Sequence, residues 1–280
     1  MPELPEVQTV VNDLIDAGLI GKTISAAIIH WPRIVHTPSL RVFRSRITGT
    51  TILNVRRRAK YIVIDLSGGL HLLIHLRMTG RLHFIDPESP IDSHENAVFV
   101  LHNSDHLRFH DTRKFGRLYL VSDSSDILKK IGPEPLDDAF SPSVLYAILH
   151  GRKRMLKPLL LDQTVIAGLG NIYVDEALWE ARLHPCRISN TLSRRESKAL
   201  HRAIRKVLLR GLANLGTTLG TGHANFYSVG KRTGRNKDEL QVFRRTGQPC
   251  PRCHKPVKRL IVGQRSTHIC PQCQKDHLNI

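Results

Sequence analysis

The chain has 280 residues, with 42 Lys+Arg against 24 Asp+Glu, a net charge of +18 and a pI near 10.2. A field of that sign favours a polyanionic partner, either nucleic acid or an acidic membrane face. No run of ~18 apolar residues is present, which excludes a membrane-spanning helix, and the N-terminus lacks the basic and apolar regions of a signal peptide.

From Leu4 to Ile15 the residues Leu4, Val7, Val10, Val11, Leu14 and Ile15 recur at helical spacing, and Pro5 falls in the first turn, where its missing N–H is tolerated. Residues 22–121 change to short β-rich runs at 61–65, 70–76, 97–101 and 116–121, with turn signals at Ser67-Gly68-Gly69 and Asp86-Pro87. Such runs predict a β-sandwich rather than an alternating α/β fold. The pattern breaks at 132–136, the expected linker, and helices are predicted over 143–149, 153–162, 171–180 and 193–212. A glycine-bearing turn at 163–170 separates the middle two. Residues 215–238 are rich in Gly, Thr and Lys without periodicity, and are read as a mobile loop. A cysteine hairpin closes the chain. The expected class is α+β, divided into 1–131, 132–238 and 239–280.

Cys250-Pro-Arg-Cys253 and Cys270-Pro-Gln-Cys273 are separated by sixteen residues, a spacing that suits a four-cysteine zinc site. In a reducing cytosol such pairs bind metal more readily than they form disulfides, which remain the competing reading. Four thiolates leave no open coordination position, so one Zn²⁺ here is structural and supplies folding free energy to a hairpin with little core. His254, His268 and His277 are possible substitutes for a cysteine. Residues 241–280 hold eight Lys/Arg and one acid, Asp276, and Arg265 lies near the expected hairpin tip, poised for phosphate or merely solvated. Cys186 has no partner near it in sequence and reads as a spectator.

If Met1 is removed, as a small second residue permits, Pro2 becomes a secondary amine. An α-amino group has a pKa near ~7.7–8.0 against ~10.4 for lysine, so more of it is neutral and nucleophilic at pH 7. Glu3 and Glu6 lie within reach, for proton transfer and for support of a cationic intermediate. The bland alternative is a helix opened by acids at its positive end. Basic and aromatic clusters follow at Arg56–Lys60, His75-Leu-Arg-Met78 and Arg113-Lys-Phe115. They read either as a solvated strand end and core residues or as a wedge for a base stack.

Taken together, Pro2-Glu-Leu-Pro-Glu-Val7, Lys60, His75-Leu-Arg-Met78, Arg113-Lys-Phe-Gly116, Lys157-Pro158, Gly168-Leu-Gly-Asn-Ile-Tyr173 and the hairpin with Gln264-Arg265 resemble the bacterial formamidopyrimidine-DNA glycosylase family over nearly the whole chain. The resemblance implies an N-terminal β-sandwich flanked by helices, a helix–two-turn–helix domain and a zinc-bound β-hairpin. It implies a bifunctional base-excision repair enzyme for oxidised purines. Pro2 would attack C1′ and form a Schiff base, and β,δ-elimination would follow. Glu3 would assist ring opening, Glu6 would hold the helix and site together, and Lys60 would bind phosphate beside the lesion and help catalysis. Met78, Arg113 and Phe115 would fill the gap left by the flipped nucleotide. Asn171, Lys157, Arg265 and His75 would hold phosphates. The implied partner is double-stranded DNA containing an oxidised base or abasic site, met by a monomer in the bacterial cytosol, with no membrane.

The chain departs from the family pattern at Ala59, where glycine is usual, and at 220–226 and 233–238, in the loop that caps the extruded base. Two further readings stand beside the first. One is an endonuclease VIII-like enzyme for oxidised pyrimidines, a branch that has Gly-Pro-Glu where this chain has Leu4-Pro5-Glu6. The other is a non-catalytic zinc-hairpin DNA binder.

Overall fold

A computed structural model of the chain describes all residues except 87, 103–104, 221–225, 231 and 277–280. The residues divide into two compact units, the first comprising 1–129 with 214–237 and the second 130–213 with 238–280.

The first unit opens with α1 (Leu4–Asp16), whose apolar face of Val7, Val10, Val11 and Leu14 is buried. Then come β1 (Ile24–Ile29), β2 (Val35–Thr37), α2 (Leu40–Ile47), β3 (Ile52–Arg58), β4 (Tyr61–Leu66), β5 (Leu70–His75), β6 (Arg81–Ile85), β7 (Glu95–Leu101), β8 (His106–His110), β9 (Arg117–Val121) and the short α3 (Ser125–Leu128). A four-stranded sheet has the order β1-β7-β8-β6, and a five-stranded sheet β2-β9-β5-β4-β3. All pairings are antiparallel except β2 with β9. Inner-face residues of both sheets form one core with α1 and α2, the expected sandwich. Strands β4 and β5 read as unbroken apolar runs because their second face is buried too: Val63, Leu73 and Tyr119 pack against Ile127 and Leu128 of α3. Helix α2 has no counterpart in the sequence-based expectation, which places only strands here. Only Phe43 and Ile47 of its eight residues are buried, too few for a periodic signal.

The segment read as a mobile loop contributes to this unit's core through Val229 and Phe226. It is crossed by an isolated bridge between Thr217 and Arg235. Side-chain bonds do the rest: the Thr218 hydroxyl donates to the Phe226 carbonyl and accepts from the Gly234 N–H, and Arg232 pairs with Asp13 of α1. Such contacts carry no sequence period, so the segment looks structureless in one dimension. Of the departing residues 220–226, positions 221–225 lie outside the described residues.

The second unit contains α4 (Pro142–His150), α5 (Leu156–Leu161), α6 (Asn171–Glu180), α7 (Arg194–Ala213) and the hairpin β10 (Lys258–Val262) with β11 (Arg265–Ile269). Helix α5 begins three residues later than 153 because Met155 pairs with Ile188 and the Leu156 N–H is taken by the Arg187 carbonyl. Helix α7 is started by a capping box in which Ser193 and Glu196 each accept from the other's backbone N–H. Helices α6 and α7 touch at Gly211, where an added Cβ would lie 2.5 Å from the Tyr173 hydroxyl. Among the described residues, no helix is long and apolar enough to cross a membrane.

Candidate DNA-repair site

The N-terminus is held by a reciprocal pairing. Glu3 is the N-cap of α1, its carboxylate accepts the Glu6 N–H, and Glu6 Oε2 accepts the Glu3 N–H at 2.8 Å. The second oxygen of Glu6, Oε1, accepts the Thr217 N–H at 2.7 Å, so one buried carboxylate ties the helix start to the 214–237 segment. The contact is close because Gly216 has φ +80° and its Cα hydrogen faces Glu6; a Cβ there would lie 2.8 Å from Glu6 Cγ. Pro2 and Glu3 are buried, whereas Met1 is exposed.

Lys60 and His75 come together at the β3–β4 turn and the end of β5. The turn is Ala59-Lys60, with Ala59 at φ +52°, which explains why glycine is favoured at that position. His75 Nδ1 accepts the Arg77 N–H at 3.0 Å, and its ring meets Tyr61 edge-on at 4.7 Å. Burial, and then the charges of Arg77 and Lys60, push its pKa down to about 3. The imidazole is therefore neutral at physiological pH, and with Nδ1 accepting, Nε2 carries the proton as a donor. Unfolded, it takes a proton near 6.5, so between about 3 and 6.5 the unfolded chain binds the extra proton and stability falls as pH drops through that window. His75→Gln is expected to flatten the acid limb of a profile of unfolding free energy against pH across it by up to about 1.4 kcal/mol per pH unit. A limb of unchanged slope would refute the assignment.

Met78 and Phe115 are exposed, against the core reading, and Arg113 is exposed beside them. They form one cluster: the Arg113 guanidinium lies 4.7 Å from the Phe115 ring centroid and donates to Met78 Sδ at 3.1 Å. Beneath them is a residue to which the sequence assigns no role. Asp111 is fully buried and accepts from the Thr79 hydroxyl, the Arg113 N–H at 3.2 Å and the Gly116 N–H at 2.7 Å. Asp111→Asn turns an NH₂ toward a backbone donor. It is expected to cost about 1–3 kcal/mol of stability and to weaken binding of abasic-site DNA by disordering the wedge, both readable by melting and titration. If neither moves, Asp111 does not position it.

In the second unit, Asn171 begins α6, and its Nδ2 donates to the Ser266 carbonyl at 2.9 Å. Its Oδ1 is buried without a hydrogen-bond partner among the described residues. Arg265 is exposed beside a two-residue turn, Gly263-Gln264, with both residues at positive φ as a type I′ hairpin requires. Lys157 departs from its expectation. Its ammonium is fully buried, 2.6 Å from Asp175 and 2.9 Å from the same Ser266 carbonyl. Buried in an ion pair, it braces the hairpin from behind, and a phosphate contact is not open to it in this conformation. Asp175 also accepts the His268 N–H, and Glu176 accepts from the backbone N–H groups of Gln241, Val242 and Phe243. Burial raises the Glu176 pKa against these donors and Arg210. Two consecutive acids thus fix the hairpin to α6. Their only sequence signal is an Asp-Glu pair between the apolar runs 172–174 and 177–179.

The four cysteine sulfurs all lie within 4.8 Å of one another, with Cys253–Cys270 at 3.4 Å, Cys253–Cys273 at 3.6 Å and Cys250–Cys273 at 3.9 Å. A tetrahedron of Zn–S bonds of ~2.3 Å requires sulfurs about 3.8 Å apart, whereas a disulfide needs ~2.05 Å, so the donors fit zinc. Burial raises the Cys250 thiol, but donors from Arg252, the Trp179 indole and Cys253 outweigh it and hold its pKa at about 6. Cys270 and Cys273 are pushed up by burial and by their neighbouring sulfurs, as expected of a set that needs a dication to share its charge. His268 is engaged with Asp175 instead, and His277 lies outside the described residues. The site holds one structural Zn²⁺.

Residues 1–118 match the formamidopyrimidine-DNA glycosylase N-terminal domain, 131–222 the formamidopyrimidine-DNA glycosylase H2TH domain, and 247–275 a zinc finger found in FPG and IleRS. The chain is 49% identical to the formamidopyrimidine-DNA glycosylase of Protochlamydia amoebophila, over 98% of this chain and 100% of that one. The chain belongs to the formamidopyrimidine-DNA glycosylase family. Among solved structures it is similar to the MutM (Fpg) protein of Thermus thermophilus, with TM-score 0.88 and 38% identity over 98% of this chain and 99% of that one. It is also similar to Lactococcus lactis Fpg in complex with abasic-site DNA, with TM-score 0.89 and 34% identity over 98% and 100%. That likeness extends across the sandwich, the helical domain and the zinc finger of the family.

Proposed function

We propose that Pro2, once Met1 has been removed, is the nucleophile of this family member, and the reciprocal Glu3–Glu6 pairing that seats it is the observation that carries the reading. The chain is a DNA glycosylase with AP lyase activity that removes oxidised purines in base excision repair, acting on DNA with a damaged base or an abasic site. The Pro2 nitrogen lone pair attacks C1′, the base leaves with the electrons of its glycosidic bond and takes a proton from water, and the Pro2 N–H proton passes to the Glu3 carboxylate. Glu3 passes a proton to the sugar ring oxygen as the ring opens, leaving an iminium between Pro2 and C1′. A buried carboxylate beside that cation stabilises it more than an exposed one would. Loss of the C2′ proton then expels the 3′ phosphate, and a further proton loss expels the 5′ phosphate.

Glu6 keeps Pro2 and the 214–237 segment in register through its two oxygens. Lys60 and the neutral His75 hold phosphate beside the lesion, and Met78, Arg113 and Phe115 occupy the vacated stack. Asn171 and Arg265 grip phosphate from the second unit, the first with backbone N–H groups at the start of α6. Lys157 positions the hairpin, and the zinc supplies its fold. The working parts are the sandwich over 1–131, the helices that follow from 132, and the finger over 239–280, with the 214–237 segment belonging to the sandwich's unit. The protein acts as a monomer in the bacterial cytoplasm, on the nucleoid.

Borohydride trapping tests this. Duplexes with 8-oxoguanine opposite C, with thymine glycol, and without damage are incubated with the protein and reductant. A covalent adduct on the 8-oxoguanine duplex, well above that on thymine glycol, is expected. DNA binding with no adduct on any oxidised base would overturn the enzymatic assignment of Pro2.

A further inference from the structure

We propose that the exposed face of α7 is a second duplex-DNA contact surface, distinct from the Asn171–Arg265 end of the same unit. Arg195, Lys198, Arg202 and Lys206 follow one another at spacings of three, four and four, which places them on one face, and all four are exposed. Arg182, just past the end of α6, is exposed as well. With Arg202, Lys206, Ala199 and Ala203 it lines a cavity of about 300 Å³ between the two helices. Helix α6 runs from Asn171 to Glu180, so this cavity lies roughly 15 Å from the phosphate grip at the other end of α6.

The acid here, Glu180, is already engaged by Lys206 at 2.8 Å and Arg252 at 3.2 Å. The acid on α7, Glu196, turns back to Ser193 and Arg187. Among the described residues, the side chains of Arg182, Arg195, Lys198 and Arg202 form no ion pair. A solvated helix face ordinarily mixes signs, because like charges four residues apart destabilise the helix. Here Lys198–Arg202 and Arg202–Lys206 are both such pairs. The helix dipole accounts for Arg182, which follows a C-terminus, but Arg195 sits in the first turn of α7, where the dipole disfavours cations. A polyanion compensates that arrangement. From residue 195 to 206 the helix rises about 16 Å, and one DNA strand carries a phosphate per about 3.4 Å of axis, so the stripe spans about five phosphates. The occupant is therefore the backbone of a second duplex segment.

The test uses the full chain and a triple variant, Arg195→Gln with Lys198→Gln and Arg202→Gln, alongside an Arg195→Lys, Arg202→Lys control. Bridging is read by energy transfer between a labelled short abasic-site duplex and a labelled long undamaged duplex. The triple variant is expected to lose bridging about tenfold and to lower the slope of log affinity against log salt on the long duplex by about two to three. The lysine control is expected to keep both, and affinity for the short abasic-site duplex alone is expected to stay within about twofold in both variants. Binding of the short duplex is scored separately, so failure of the primary DNA site and failure of the second surface are distinguishable. Unchanged bridging and slope, a loss that falls equally on the short duplex, or selective capture of anionic vesicles instead of DNA would each overturn the proposal.

Discussion

A form of the protein that keeps one residue ahead of Pro2 is expected to bind abasic-site DNA normally and to yield no borohydride adduct. The extra residue converts the Pro2 nitrogen from an amine to an amide, whose lone pair is delocalised into the carbonyl. Every protein-to-DNA contact elsewhere is retained, so affinity isolates binding from chemistry. Removal of a covalent nucleophile is expected to lower excision of an oxidised purine by at least about 10³-fold. Pro2→Gly gives an intermediate case, since it leaves a primary amine on a more flexible start to α1. Excision at the ordinary rate by the extended chain would remove Pro2 from the mechanism. It would leave the Glu3–Glu6 pairing as a helix cap and nothing more.

Loss of zinc is expected to be the largest structural perturbation available to the second unit. The hairpin's apolar core consists of Trp179, Val242 and Val257 packed around the cysteines, too little to fold about forty residues unaided. Structural zinc binding in small fingers carries on the order of 10 kcal/mol or more of folding free energy. Cys270→Ser, or exhaustive chelation, is expected to make residues 247–275 protease-sensitive while the sandwich of the first unit keeps its melting transition. Affinity for DNA is expected to fall on the order of 10²-fold, because Arg265 and its basic neighbours lose their placement. A zinc-free Cys270→Ser protein with undiminished affinity would show that the finger contributes no phosphate contact.

The parts of the molecule legible in the sequence are those whose interactions are local. Helix α1, strands β4 and β5, and the zinc set follow from spacing alone, because the residues that matter lie within one element or one short hairpin. The Glu6–Thr217 bond spans 211 positions and the Lys157–Ser266 bond 109, and no one-dimensional pattern announces either. Lys157 illustrates the cost of that blindness. The family resemblance implies a phosphate contact for it, and only the fold reveals Asp175 beside it. Asp111 is the converse case, an ordinary acid in a charged stretch whose burial makes it the anchor for donors from Thr79, Arg113 and Gly116. The segment at 214–237 looks mobile in one dimension because its order comes from threonine hydroxyls and glycine crossings, which leave no hydrophobic rhythm.

The Ser266 carbonyl receives a hydrogen bond from the first residue of α6 and another from the buried ammonium of α5. One atom of the finger is therefore clamped by two helices, and the guanidinium next to it can reach only as far as its own side chain extends. The gap between the α6 N-terminus and the hairpin tip is then a calliper with a locked jaw. With two donors on one acceptor, the setting of that jaw is fixed by the protein itself rather than by whatever it closes on.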